Sequence, residues 1–144
     1  MRMPDVVVDA SIAVKWVVAE EGGQDARALL ISWLAAGMQP VAPSWFTCEV
    51  ANILHRKALV GDLSFADALD AYDDVLSFIK ILPENIADGK RGMHIARQIA
   101  QQQSYDAQYL ALAERLGAEY WTDDRRFVAS ASAVFPQVKR LGSA

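Results

Sequence analysis

The sequence predicts an α/β protein with a central parallel sheet flanked by helices. Val6-Val7-Val8 is an unbroken β-branched run, as expected of a strand buried on both faces. Short apolar stretches alternate with longer helical patterns through most of the 144 residues, which is the order of a parallel sheet with crossover helices. That length fits one domain spanning residues 1–144, able to bury roughly two-thirds of its unfolded surface.

In chain order, the strand at residues 6–8 leads into a helix expected to run through Val18, broken by Gly22-Gly23. A second helix covers residues 25–36 and stops at Gly37. Residues 39–42 form a short strand, after which Pro43 and Ser44, as N-cap, start a helix reaching about Val60. Gly61-Asp62 turns the chain, and Ser64 caps a helix to about Phe78. No convincing strand separates this helical pair at 44–78, the main departure from alternation. Residues 79–82 are a strand, and residues 83–92, polar and glycine-containing, read as a linker before a helix ending in Gln101-Gln102-Gln103. Ser104 caps a helix over residues 105–116, closed by Gly117. A strand at 118–122, a short helix at 125–133 and an edge strand at 137–140 complete the chain.

Composition narrows the function. A hydrophobic share of 53% excludes a disordered chain and leaves room for apolar surface covered by a partner. Fourteen basic against eighteen acidic residues give a formal charge of −4, so bulk charge does not attract a polyanion and any nucleic acid must be held locally. Cys48 is the only cysteine, which rules out an intrachain disulfide and fits a reducing cytoplasm. No signal-like apolar stretch and no run of about 18 apolar residues occurs, so a soluble, cytoplasmic protein without membrane contact is expected.

Four carboxylates occupy positions from which such a fold can gather them. Asp9 ends the first strand, Asp106 opens a helix, and Asp124 follows the strand ending in Thr122, all at or near the sheet edge where α/β proteins bind ligands. Glu49 lies on a helix and can project in from beside them. Each has a plainer reading: Asp9 and Asp124 as helix N-caps, Glu49 with Asn52 and Arg56 as a solvated helical stripe, Asp106 as a partner of the helix dipole. Together they are more informative, because two carboxylates about 4 Å apart repel by roughly 4 kcal/mol at an effective dielectric of 20. A cation offsets that repulsion, and oxygen donors suit Mg²⁺ or Mn²⁺ rather than zinc. His55 and His94 read as ordinary helix residues. With no side-chain nucleophile or phosphate-cradling glycine loop in view, phosphodiester hydrolysis by metal-activated water is the fitting chemistry. Lys15, Arg56, Arg125 and Arg126 are candidates to hold backbone phosphates.

Four stretches carry a family resemblance: Val-Val-Val-Asp9-Ala-Ser11, Pro43-Ser-Trp-Phe-Thr-Cys-Glu49-Val-Ala-Asn52-Ile-Leu, Ser104-Tyr-Asp106-Ala-Gln-Tyr-Leu-Ala-Leu-Ala, and Thr122-Asp-Asp124. In this order and spacing the chain resembles the PIN-domain nucleases, most closely the VapC-like ribonuclease toxins of VapBC-type toxin-antitoxin pairs. The resemblance implies a three-layer α/β/α fold, Mg²⁺- or Mn²⁺-dependent RNA cleavage, a homodimer, and neutralisation by a small cognate antitoxin. It also implies Asp9, Glu49, Asp106 and Asp124 as catalytic metal ligands, with Ser11, Asn52 and Thr122 in support. Asp123 departs from the pattern by adding a fifth acid where a small residue is usual.

Two other readings keep a similar fold. A catalytically inactive PIN-like scaffold would bind a partner only, although all four acids are present. A receiver-like phosphorylation module would want paired acids after the first strand, where Asp9 stands without an acidic neighbour and Ser11 follows.

Overall fold

A computed structural model describes residues 3–142. Five strands, β1 (Asp5–Val8), β2 (Gln39–Pro43), β3 (Lys80–Leu82), β4 (Tyr120–Thr122) and β5 (Val138–Arg140), form one sheet in the order β3-β2-β1-β4-β5. Every pairing is parallel. Seven helices accompany them: α1 (Ala10–Lys15), α2 (Gly23–Ala35), α3 (Phe46–Leu59), α4 (Phe65–Phe78), α5 (Ile86–Gln98), α6 (Tyr105–Leu116) and α7 (Arg125–Ala131).

The apolar run in β1 has the burial it predicts. Val6 and Val8 pack into a core built with α1 to α4, whereas Val7 faces a second core built with α5 to α7. Alternation of side chains across the strand thus feeds two apolar layers, and the molecule is a three-layer α/β/α sandwich. The absence of a strand between α3 and α4 also has a reason. Val50 and Leu54 of α3 and Ala68, Ala71 and Val75 of α4 supply one face of the first core, so the two helices pack as a hairpin.

Four local expectations are corrected. Residues 83–92 are no linker: Asn85 caps α5 by accepting a hydrogen bond from the Ala87 N–H at 3.0 Å, and the helix continues through Gly89 and Gly92. Gly92 is there for proximity, since a Cβ at that position would stand 2.8 Å from Gln108 Cγ and 3.1 Å from Gln108 Cα on α6. Ser44 does not cap α3; it lies in the turn after β2, Trp45 holds the cap position, and no side chain caps the end. Ser104 precedes α6 without capping its backbone, and its hydroxyl instead accepts from the Gln108 amide at 3.2 Å. Ser64 caps α4 as expected, through the Asp67 N–H. The first helix is shorter than anticipated, ending at Lys15 rather than Val18.

The strand order determines where ligands can sit. The chain builds outward from β1 through β2 to β3, then returns to the other side of β1 with β4 and β5. Strands β1 and β4 therefore flank the topological switch, and the crevice beyond their carboxyl ends is where open α/β sheets bind ligands.

Candidate functional site

At that switch the Asp9 N–H donates to the Trp121 carbonyl at 3.2 Å, stitching the ends of β1 and β4 together. Asp9 is 8% exposed and serves two roles. Its Oδ1 accepts from the Ile12 N–H (3.1 Å) and the Ser11 hydroxyl (2.8 Å), so it does cap α1; its Oδ2 accepts from the Thr122 hydroxyl at 2.5 Å. Burial raises the Asp9 pKa, and these three donors only partly oppose it, so the carboxylate is held in place and costly to ionise.

Thr122 is fully buried and links the two strand ends, because its Oγ1 also accepts from the Asp124 N–H at 3.1 Å. Asp124 caps α7 through the Phe127 N–H at 3.0 Å. The plain reading of Asp9 and Asp124 as caps and their convergence at the switch are thus both true.

Glu49 is half-buried rather than a solvated helix residue, and Tyr109 donates its hydroxyl to Glu49 Oε1 at 2.6 Å. Burial raises the Glu49 pKa, the Tyr109 hydroxyl opposes the rise, and the Asp9 charge adds to it. Asp106 accepts from the Tyr120 hydroxyl at 2.7 Å. Its carboxyl is pushed up to about 7 by burial first, the Tyr120 donor opposing, and then by hydrogen bonding and charge from Asp124 and charge from Asp9. These mutual effects tie four acids from four separate parts of the chain into one electrostatic unit.

The four acids, with Ser11 and Asp123, line a single open cleft of about 490 Å³. Asn52 is exposed and lines an adjoining groove beside Glu49 instead. Asp123 sits at the cleft edge, its Oδ2 3.9 Å from Lys15 Nζ. Lys15 is mainly engaged elsewhere: its ammonium donates to Glu20 at 2.8 Å and to the Glu21 carbonyl at 3.1 Å, and Glu20 also pairs with Lys57. Of the cations expected to hold phosphates, Arg56, Arg125 and Arg126 are exposed, and Lys15 is largely neutralised.

Tyr109 and Tyr120 were not among the residues expected at the site. Both are buried, stacked with centroids 5.3 Å apart at 11°, and each orients one of the acids. A sequence signal existed for each: Tyr109 lies three residues after Asp106 on one helical face, and Tyr120 lies two before Thr122 on one strand face. Buried tyrosines need a hydroxyl partner, and here the acids supply it. Burial and the Glu49 charge push the Tyr109 hydroxyl well above its usual range, and burial with the Asp9 and Asp106 charges does the same to Tyr120. Both therefore remain donors.

The donor set is entirely oxygen, which fits a hard divalent cation. Among the described residues no group of three or more His, Cys, Asp or Glu side chains is placed to hold a metal ion between them.

The chain belongs to the PIN-domain family, whose profile matches residues 6–132. Solved structures with similar folds include a toxin-antitoxin complex from Klebsiella pneumoniae (TM-score 0.68, 16% identity, covering 92% of this chain and 94% of the other). VapBC2 from Rickettsia felis bound to a promoter DNA fragment is similar at TM-score 0.67 and 13% identity, covering 94% and 96%. Mycobacterium tuberculosis VapC20, a Sarcin-Ricin loop cleaving toxin, is similar at TM-score 0.66 and 15% identity, covering 88% and 95%. No curated protein sequence matches the chain. Among the described residues no helix is long and apolar enough to cross a membrane.

Proposed function

We propose that this protein is a Mg²⁺- or Mn²⁺-dependent endoribonuclease acting as the toxin of a toxin-antitoxin pair, working as a homodimer in the cytoplasm and neutralised by a small cognate antitoxin. One observation carries the catalytic reading: Asp9, Glu49, Asp106 and Asp124 reach the same cleft at the switch between β1 and β4, in a family of known nuclease resemblance. The toxin and antitoxin assignments are supported by a likeness in fold to chains of a toxin-antitoxin complex and of VapBC2, and to the toxin VapC20.

In this reading Asp9, Glu49, Asp106 and Asp124 hold the metal. When bound, a divalent cation supplies charge stabilisation and an activated water for attack on phosphorus. The chain's own residues do the positioning. Ser11, Ile12 and Thr122 fix both oxygens of Asp9, so its geometry is set before substrate arrives. Tyr109 and Tyr120 hold Glu49 and Asp106 in the same way. Each clamp leaves further lone pairs free, since a carboxylate has about four acceptor sites. Asp106, with its pKa near neutrality, can hold a proton at its carboxyl near pH 7 and lose it to solvent, leaving the carboxylate that would hold a cation. Arg125 and Arg126, opening α7 directly after the acids, supply the local positive charge that the net −4 does not.

The test is cleavage-end mapping across total RNA for wild type and Asp9→Asn, each with Mg²⁺ and with EDTA. Discrete cleavage by wild type in Mg²⁺, lost in the other three conditions, is the expected result. Cleavage that survives EDTA refutes the metal-dependent mechanism, and absence of cleavage by wild type favours the inactive scaffold.

A further inference from the structure

The acid cleft continues into a groove beside α3 that Trp45, Cys48, Asn52 and Gln108 help to line. Tyr105 borders both spaces, at the first position of α6 and directly before Asp106. Its side chain is 65% exposed, and among the described residues it has no hydrogen bond, ion pair or ring contact. Tyr109, one turn along the same helix, is buried and bonded to Glu49. The same residue type thus serves two purposes, one tyrosine orienting an acid from beneath and the other leaving a bare aromatic face at the rim. Gln103 also lines the cleft and a neighbouring polar hollow shared with Arg126.

We propose that Tyr105 is a base-stacking platform that positions the nucleotide beside the scissile phosphate. The inference rests on the nuclease reading above and adds a residue that positions its substrate. Three features carry it. The Tyr105 ring and the Asp106 carboxylate line the same cleft, which puts the ring within a nucleotide's reach of the acids. Stacking needs a base turned out of its helix, which single strands and loops provide and duplexes do not. A protein of net charge −4 gains little from bulk attraction to phosphate, so a contact independent of charge is the efficient way to hold RNA across an acidic cleft.

The test uses Asp9→Asn protein in Mg²⁺, titrated by fluorescence anisotropy with a short oligoadenylate and with an abasic ribose-phosphate strand of equal length and charge. The expected result is tighter binding of the oligoadenylate. Adding Tyr105→Leu weakens that binding by about 5- to 100-fold, the range for loss of one aromatic stack, with little change for the abasic strand. Tyr105→Phe and Tyr105→Trp retain the preference, since the ring and not the hydroxyl carries it. Equal binding of both strands by the parent, or unchanged oligoadenylate binding by Tyr105→Leu, overturns the proposal. Loss with Tyr105→Phe as large as with Tyr105→Leu also overturns it. If Tyr105→Leu instead weakens only association with a co-expressed antitoxin, the ring belongs to a protein interface and the proposal is wrong. Wild-type RNA cleavage is scored separately: cleavage with no Tyr105 effect sinks only the stacking, whereas base-dependent binding without cleavage sinks only the nuclease reading.

Discussion

Replacing Asp106 with Asn makes the metal-free protein more stable at neutral pH while impairing its response to metal. The carboxyl rises from an ordinary 3.8 to about 7 because it is buried beside Asp9 and Asp124. At about 1.4 kcal/mol per pKa unit, this corresponds to a cost of about 4 kcal/mol for ionising it in the fold. Asp106 borders an open cleft, so solvent screening reduces the cost, and about 2 kcal/mol is the expected gain on substitution. Asn keeps an oxygen to accept from Tyr120, and its amide can donate toward Asp124 without a new charge. For a domain of this size 2 kcal/mol is about 6 °C in Tm. The gain also has a pH signature. Below about pH 4 folded and unfolded chains both hold Asp106 protonated, and the variant has no advantage. Between there and pH 7 only the folded wild type keeps the proton, so its stability falls as pH rises, and the variant's advantage grows to a plateau above the folded pKa. The assay is thermal unfolding of both proteins in EDTA from pH 4 to 8.5, repeated with Mg²⁺ or Mn²⁺. Metal is expected to raise the wild-type Tm at pH 7.5 much more than that of Asp106→Asn. A variant no more stable than wild type at pH 7.5 in EDTA, or an advantage that does not vary with pH, refutes the account of Asp106 as a buried carboxyl that is costly to ionise.

Asp9→Asn is expected to retain the α1 cap, since Asn caps as well as Asp, and to lose at least about 10²-fold in cleavage rate with an unchanged circular dichroism spectrum. Asp124→Asn is expected to weaken Mn²⁺ affinity and cleavage more than Asp123→Asn, because Asp124 interacts with Asp106 whereas Asp123 lies at the rim near Lys15; isothermal titration and cleavage assays of both decide the order. Tyr120→Phe removes the donor on Asp106 and is expected to cost about 1–3 kcal/mol in urea unfolding at pH 7.5, with a higher Asp106 pKa by NMR titration. Expressed without an antitoxin, wild type is expected to arrest bacterial growth and Asp9→Asn is not; equal growth of the two refutes the toxin role.

The parallel α/β class, the order of elements and the candidate acids were legible in the sequence because they depend on local patterns. An unbroken valine run announces a strand buried on both faces, and Gly117 closes a helix where a left-handed residue is needed, at φ 64°. Local patterns misled where the reason for a residue lay elsewhere in space. Gly92 looked like part of a linker, but it lies inside a helix because Gln108 presses against it from α6. Glu49 taken alone fitted a solvated stripe better than a site, and only the fold sets Tyr109 against it, sixty residues away. Only the tertiary structure decided that β4 returns to the side of β1, and that order brings Asp9 and Thr122, 113 residues apart, within one hydrogen bond. Sequence therefore determined which side chains have the chemistry. The fold decided which of them share a dielectric environment, because burial and charge repulsion depend on distance in space rather than along the chain.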